Sequence, residues 1–178
     1  KENELISGLG EALKLSLTGG QSCFEIFTQN YGIKNYMNMI KMSSSVKKII
    51  VEHDELEKNE RKVLNYGHTF GHALETASNY SIPHGIAVLY GMYIINKLFY
   101  QEKHDAINDL IMSMIPSMFK NINISYDKFL SQILCDKKND GDNICFILLE
   151  DVGNSIFVYR KLEEIKEELY VIFQSLFR

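Results

Sequence analysis

The sequence predicts a mainly α-helical fold of many helices with one small β-hairpin, and three observations predict it. Apolar residues recur at three- and four-residue steps along most of the 178 residues, the spacing that lines one face of a helix. One segment, residues 85–101, is apolar nearly all round, as a helix at the centre of a domain must be. Two short runs of bulky residues, 144–149 and 156–159, read as strands, and the turn-forming stretch 151–155 between them makes a hairpin.

Residues 4–18 have helical spacing and stop at Gly19-Gly20, a helix C-terminal signal. Gly8-Leu9-Gly10 opens like a dinucleotide-binding GxGxxG, but Leu13 stands where the third glycine belongs and no strand precedes it, so that reading fails. Glu11 and Lys14 share a face of this helix, and spacing alone reads them as a solvated ion pair. A short helix over 22–29 precedes a long one over 33–56, with Met37, Ile40, Val46, Ile49 and Ile50 as its expected buried stripe. Lys47 and Lys48 follow Ser43-Ser44-Ser45, small residues that let a helix pass close to a neighbour or a ligand. The acidic stretch 53–57 runs into Lys58-Asn59, where Asn59 can take the left-handed cap conformation. Residues 61–66 lead to a helix over 67–78, a turn over 79–83 and the central apolar helix. Further helices cover 105–119, bent or ended by Pro116, and 126–134. A polar loop, 136–143, enters the hairpin, and an amphipathic helix over 162–177 closes the chain with Glu163, Glu164, Lys166, Glu167 and Glu168 outward.

Composition bounds the function. An apolar fraction of 46% and a charged fraction of 24% are ordinary for a soluble globular chain, and residues 1–178 read as a single domain. A net charge of −4 gives no nucleic-acid-binding surface. The longest apolar run, 86–100, is broken by Gly91, Asn96 and Lys97 and is too short to span a membrane, so no membrane partner is expected. Cys23, Cys135 and Cys145 are odd in number and lack CxxC spacing, as reduced thiols of a cytoplasmic protein would be. A start without Met, directly in a helical pattern, suggests a chain cut from something longer.

Three histidines, His68, His72 and His84, fall between residues 68 and 84. His68 and His72 are four apart and share a helix face, and imidazole is both a common zinc ligand and a proton carrier. Gly67, Thr69, Gly71 and Ala73 leave room beside them, and Pro83 holds His84 in a rigid turn. A catalytic zinc site needs three protein ligands and an open position, and Glu11 could join the histidines from a facing helix. Spacing leaves open which three bind the metal. Lys14, Lys47, Arg61 and Lys137/Lys138 supply more positive charge than a neutral substrate needs, which points to an anionic, hydroxylated small molecule.

The run Arg61-x-x-Leu64-Asn65-Tyr66-Gly67-His68-Thr69-Phe70-Gly71-His72-Ala73-Leu74-Glu75, then His84-Gly85-x-Ala87-Val88 and Gly91-Met92, resembles the signature of 3-dehydroquinate synthase. So do Gly10-Glu11-Ala12-Leu13-Lys14, Asp54-Glu55 and Asp136-Lys137-Lys138, in the family's order. The resemblance spans about residues 8–159 and implies the family's helical second domain, with the N-terminal NAD-binding α/β domain absent from this chain. It implies that Glu11, His68 and His84 bind Zn2+ or Co2+ while His72 acts beside the metal. Lys14 would contact substrate hydroxyls, Lys47 and Arg61 the carboxylate, and Asn65 with Lys138 (or Lys137) the phosphate. The implied enzyme is a phosphate-eliminating carbon–oxygen lyase of the shikimate pathway, inactive without its other domain and homodimeric when full length. With NAD+ it cyclises the sugar phosphate 3-deoxy-D-arabino-heptulosonate 7-phosphate. Two positions depart from the family: Ile86 replaces a glutamate and Asn59 a glycine. The first removes an expected carboxylate beside His84 and leaves room for a related cyclase such as a 2-deoxy-scyllo-inosose synthase. A metal-dependent polyol dehydrogenase would lack the Lys47/Arg61/Lys138 clamp, and a helical interaction module with a structural metal site would lack affinity for sugar phosphate.

Overall fold

The computed structural model describes residues 2–55, 60–120, 122–135 and 143–177; Asn59 and residues 136–142 of the expected polar loop lie outside them. In chain order the elements are α1 (Glu2–Gly19), α2 (Gln21–Gly32), α3 (Tyr36–His53), a 3₁₀ turn (Glu60–Asn65), α4 (His68–Ala77), α5 (His84–Tyr100) and α6 (Asp105–Met114). A second 3₁₀ turn (Ser117–Phe119), α7 (Tyr126–Leu134), β1 (Asn143–Asp151), β2 (Asn154–Lys161) and α8 (Leu162–Leu176) complete them. The fold is mainly α with one antiparallel hairpin, as the sequence predicts. None of its described helices is long and apolar enough to cross a membrane.

Helix α5 is the centre. Ile86, Ala87, Val88, Leu89, Tyr90, Met92 and Ile94 are all buried, so every side of the helix faces protein. Around it pack α1, α4, α6, α8 and β1. Two glycines fix how closely. Gly85 leaves no room for a Cβ against the carbonyl of Ser7 on α1, and its N–H donates to the Ser7 hydroxyl at 2.7 Å. Gly91 lies in the same way against the carbonyl of Gly67, whose left-handed backbone (φ 78°) starts α4. The first turn of α5 is thereby held against α1, and the start of α4 against α5.

The link from α4 to α5 is equally constrained. Asn79 and Tyr80 take left-handed conformations (φ 51° and 59°), and the Tyr80 N–H donates to the Glu75 carbonyl at 2.7 Å. Pro83, extended at φ −60° and ψ 145°, then hands the chain to His84 as the first residue of α5.

Beneath this layer, Phe70 of α4 stacks on Phe146 of β1 at 5.5 Å between ring centroids, and Phe129 of α7 meets Phe173 of α8 at 4.9 Å. Each of these four rings is almost fully buried, which stabilises the fold by roughly 1.5–3 kcal/mol apiece. Strand β1 is buried along Phe146–Leu149, while β2 is the exposed partner, in register from Ile144↔Arg160 to Leu148↔Ile156. At the hairpin tip the Gly153 N–H donates to the Leu17 carbonyl at 2.8 Å, which ties the sheet to the end of α1.

Three expectations need correction. The long helix starts at Tyr36 and ends at His53, because Lys34 turns left-handed (φ 56°) after Gly32. Its buried stripe is Met39, Met42 and Val46; Met37, Ile40 and Ile49 are each more than half exposed. Two apolar stripes run along α3, and the one at 39, 42 and 46 faces its neighbours. Pro116 ends its helix rather than bending it, since α6 stops at Met114 and Phe119 belongs to the second 3₁₀ turn.

Candidate metal centre and anion pocket

The glycine-bound crossing of α1, α4 and α5 places Glu11, His68 and His84 at one corner. Glu11 Oε1 lies 3.8 Å from His68 Nε2 and 3.6 Å from His84 Nε2. Ligands around a tetrahedral ion at ~2.1 Å stand roughly 3.4 Å apart, so the Glu11 oxygen is spaced from each histidine almost as such a site requires. His72, one turn along α4, has its ring centroid 5.1 Å from that of His68 and 5.7 Å from that of His84. The three histidines offer ring nitrogens within 4.8 Å of one another, a second triad at this corner in which His72 stands in place of Glu11.

Hydrogen bonding sets which nitrogen of each ring faces inward. His68 Nδ1 lies 3.2 Å from the Tyr66 carbonyl, which can only accept, so Nδ1 carries the proton and Nε2 presents a lone pair to Glu11. Burial, and then the charge of Lys14, push the His68 pKa down to about 2, keeping the ring neutral as a ligand must be. His84 Nδ1 lies 3.0 Å from Glu75 Oε2, with the same consequence for its Nε2.

The carboxylate of Glu11 is divided between two tasks. Oε2 accepts from Lys14 Nζ at 2.9 Å, while Oε1 is buried and accepts no hydrogen bond from any described residue. A buried anionic oxygen without a donor is costly. Set beside two imidazole lone pairs, it fits a divalent cation of the zinc or cobalt kind, for which one oxygen and two nitrogens are suitable ligands. Lys14 is 3% exposed and its Nζ also lies 3.5 Å from His68 Nε2. The solvated ion pair that spacing suggests is therefore a half-buried pair at the site, with Lys14 enclosed and Glu11 about a third exposed.

A cavity of about 420 Å³ opens from this corner, lined by Glu11, Lys14, Leu15, Lys47, Arg61, Leu64, Asn65, His68 and His84. Lys47 reaches it from α3, Arg61 and Asn65 from the first 3₁₀ turn. The Arg61 backbone N–H donates to Asp54 Oδ2 at 3.0 Å and its guanidinium to the Glu55 carbonyl at 3.1 Å, which anchors the turn. His72 is exposed beside the cluster and is not part of the cavity wall. Lys137 and Lys138 lie outside the described residues. Glu75 sits in the histidine motif but carries no role in the sequence pattern, which places the expected carboxylate at position 86. Ile86 is fully buried, and the carboxylate on His84 comes from α4 instead.

A family model described as the 3-dehydroquinate synthase C-terminal region matches residues 8–139. The chain belongs to that family. A 3-dehydroquinate synthase of Campylobacter concisus is 32% identical over 164 residues, covering 87% of this chain and 47% of the relative. The chain thus spans about half the length of the curated synthases it matches. Among solved structures, 2-deoxy-scyllo-inosose synthase complexed with carbaglucose-6-phosphate, NAD+ and Co2+ superposes with a TM-score of 0.74 at 24% identity, over 95% of this chain and 52% of that one. The 2-epi-5-epi-valiolone synthase of Streptomyces hygroscopicus, with NAD+ and Zn2+ bound, gives 0.70 at 18% identity, over 96% and 51%. At those identities the two structures establish the fold of the synthase C-terminal domain for this chain.

Proposed function

We propose that this chain is the metal- and substrate-binding part of a 3-dehydroquinate synthase, in which Glu11, His68 and His84 hold Zn2+ or Co2+. One observation carries the reading: the three ligand candidates and the cations Lys14, Lys47 and Arg61 converge on a single cavity of about 420 Å³. The ion supplies Lewis-acid polarisation of a substrate oxygen. NAD+, whose binding we assign to no residue here, supplies the transient oxidation that makes a neighbouring C–H acidic.

The rest of the work falls to side chains of this chain. Arg61 offers a planar fork and Lys47 a point charge to the carboxylate of the heptulosonate phosphate. Asn65, with Lys138 or Lys137, faces its phosphate. Lys14 donates to hydroxyls, since its ammonium is already held at the cavity wall by Glu11. His72 is the proton carrier: near the ligand corner yet exposed, it can exchange protons with solvent between turnovers. Phosphate departs, the ring opens and recloses, and the net reaction is that of a carbon–oxygen lyase. Because relatives are about twice as long, we assign turnover to the full-length protein and expect the isolated chain to be inactive. A cytoplasmic homodimer is the setting the family resemblance implies.

The test loads the full-length enzyme with Zn2+ and offers it 3-deoxy-D-arabino-heptulosonate 7-phosphate and, separately, glucose 6-phosphate. Phosphate release from the first alone supports the reading; release from the second alone replaces it with an inosose-type cyclase.

A further inference from the structure

We propose that Glu75 is the positioning residue of the metal site, orienting His84 through its ring Nδ1 and raising the basicity of Nε2. This rests on the metal reading above.

His84 needs such a partner more than His68 does. Its side chain is 42% exposed against 12% for His68, so packing alone does not fix its ring. It stands at the first position of α5, where no preceding helical turn confines it. The contact that defines its orientation is Glu75 Oε2, 3.0 Å from Nδ1. A carboxylate accepts only, so the proton must sit on Nδ1, and the Nε2 lone pair faces Glu11 Oε1 at 3.6 Å. Turning the ring over would bring Nε2–H toward Glu75 and move the lone pair away from the corner.

Glu75 is itself well held, with a side chain only 14% exposed. Its backbone carbonyl accepts from the Tyr80 N–H at 2.7 Å and from the Ser78 hydroxyl at 3.0 Å. The same residue therefore closes the left-handed turn that delivers His84 and grips the ring on arrival. The two histidines then differ in kind. His68 leans on a neutral carbonyl, His84 on an anion, and an anionic partner makes the imidazole a stronger donor to a cation. With Ile86 buried in the core, Glu75 is the carboxylate that performs this task here.

The experiment uses the full-length protein as wild type, Glu75→Gln and Glu75→Ala, with two readouts. The first is the His84 tautomer in metal-free protein, read from 15N–1H ring correlations. The second is Co2+ and Zn2+ affinity by chelator competition. Wild type should hold His84 as the Nδ1–H tautomer. Glu75→Gln keeps an acceptor and the side-chain size, so the tautomer should persist while affinity falls several-fold. Glu75→Ala should populate the Nε2–H form and weaken metal binding by ~10–100-fold. An unchanged tautomer in folded Glu75→Ala overturns the proposal, as does unchanged affinity in both variants. Should Glu75→Ala fail to fold, undiminished affinity in Glu75→Gln overturns the anionic role. If wild type binds neither ion, the metal reading fails, and the tautomer alone upholds or overturns Glu75's hold on His84.

Discussion

His68 and His104 are built alike and serve different regions. Each is a largely buried imidazole facing a backbone carbonyl, His68 Nδ1 at 3.2 Å from Tyr66 and His104 Nε2 at 2.6 Å from Leu149. Burial is the main reason that both have a lowered pKa. At the corner of α1, α4 and α5, however, the second ring nitrogen of His68 meets Glu11, with His72 and His84 alongside. At the hairpin corner, His104 immediately precedes α6, meets the Tyr100 ring edge-on at 4.8 Å and ties the helical layer to β1. A buried, hydrogen-bonded histidine is thus not itself a signal of chemistry. Convergence of donors on one point is.

Breaking the two corners should therefore have different consequences, and the largest belongs to His68. His68→Ala in the full-length enzyme should lose bound metal and turnover together, as elemental analysis beside a rate measurement would show. His72→Ala sharpens the comparison within the corner. It should slow turnover by ~10²–10⁴-fold, the usual worth of acid–base catalysis, with metal content near that of wild type. If zinc vanishes along with activity, His72 is a ligand, an arrangement its ring distances leave room for.

A smaller effect is expected at the anion end of the cavity. Arg61→Lys keeps the charge but loses the two-pronged geometry, and substrate affinity should fall by roughly tenfold, the worth of about one charged hydrogen bond. Calorimetry on the full-length protein gives the number. Equal affinity would remove Arg61 from carboxylate recognition and leave it as the anchor of its 3₁₀ turn through Asp54 and the Glu55 carbonyl.

Much of this was legible in the sequence because it is local. The all-apolar run of α5, the hairpin and the histidine motif each announce themselves within a score of residues. What was not legible depends on which elements meet. Met37 and Ile40 look as buriable as Met39 and Met42, and only the packing of α1 and α2 against one side of α3 separates them. Glu11 and Lys14 have the spacing of a surface pair, and the packing of α1 against α5, with His68 alongside, is what encloses Lys14. Glu75 could have been found from its place in the motif, one turn beyond His72. Its partner, though, is nine residues away across a turn whose left-handed Asn79 and Tyr80 no propensity predicts. Spacing alone leaves the ligand set open, and the family resemblance implies one.

The smallest effect concerns His104, and it separates a structural histidine from a site histidine by pH. Its folded pKa lies below the ordinary value of 6.5, chiefly because the ring is buried; Lys103 lowers it further, while the Leu149 carbonyl and Asp151 pull it back up. The sign follows directly. As pH falls below 6.5 the unfolded chain takes up the proton first, so stability is fully present above that pH and is lost as pH falls toward the folded pKa. One proton limits the slope to about 1.4 kcal/mol per pH unit. Other groups take up protons on unfolding over the same range, His68 among them, so the informative quantity is a difference. His104→Gln retains a donor for the Leu149 carbonyl but cannot titrate. Urea unfolding midpoints of wild type and variant, compared from pH 7.5 to 5, should converge as pH falls, with the variant losing less stability. Parallel curves would mean that His104 is protonated as easily in the fold as out of it, and that its burial against β1 does not hold it neutral. Metal content should be the same in both proteins throughout, which is the behaviour that distinguishes this corner from the one at His68.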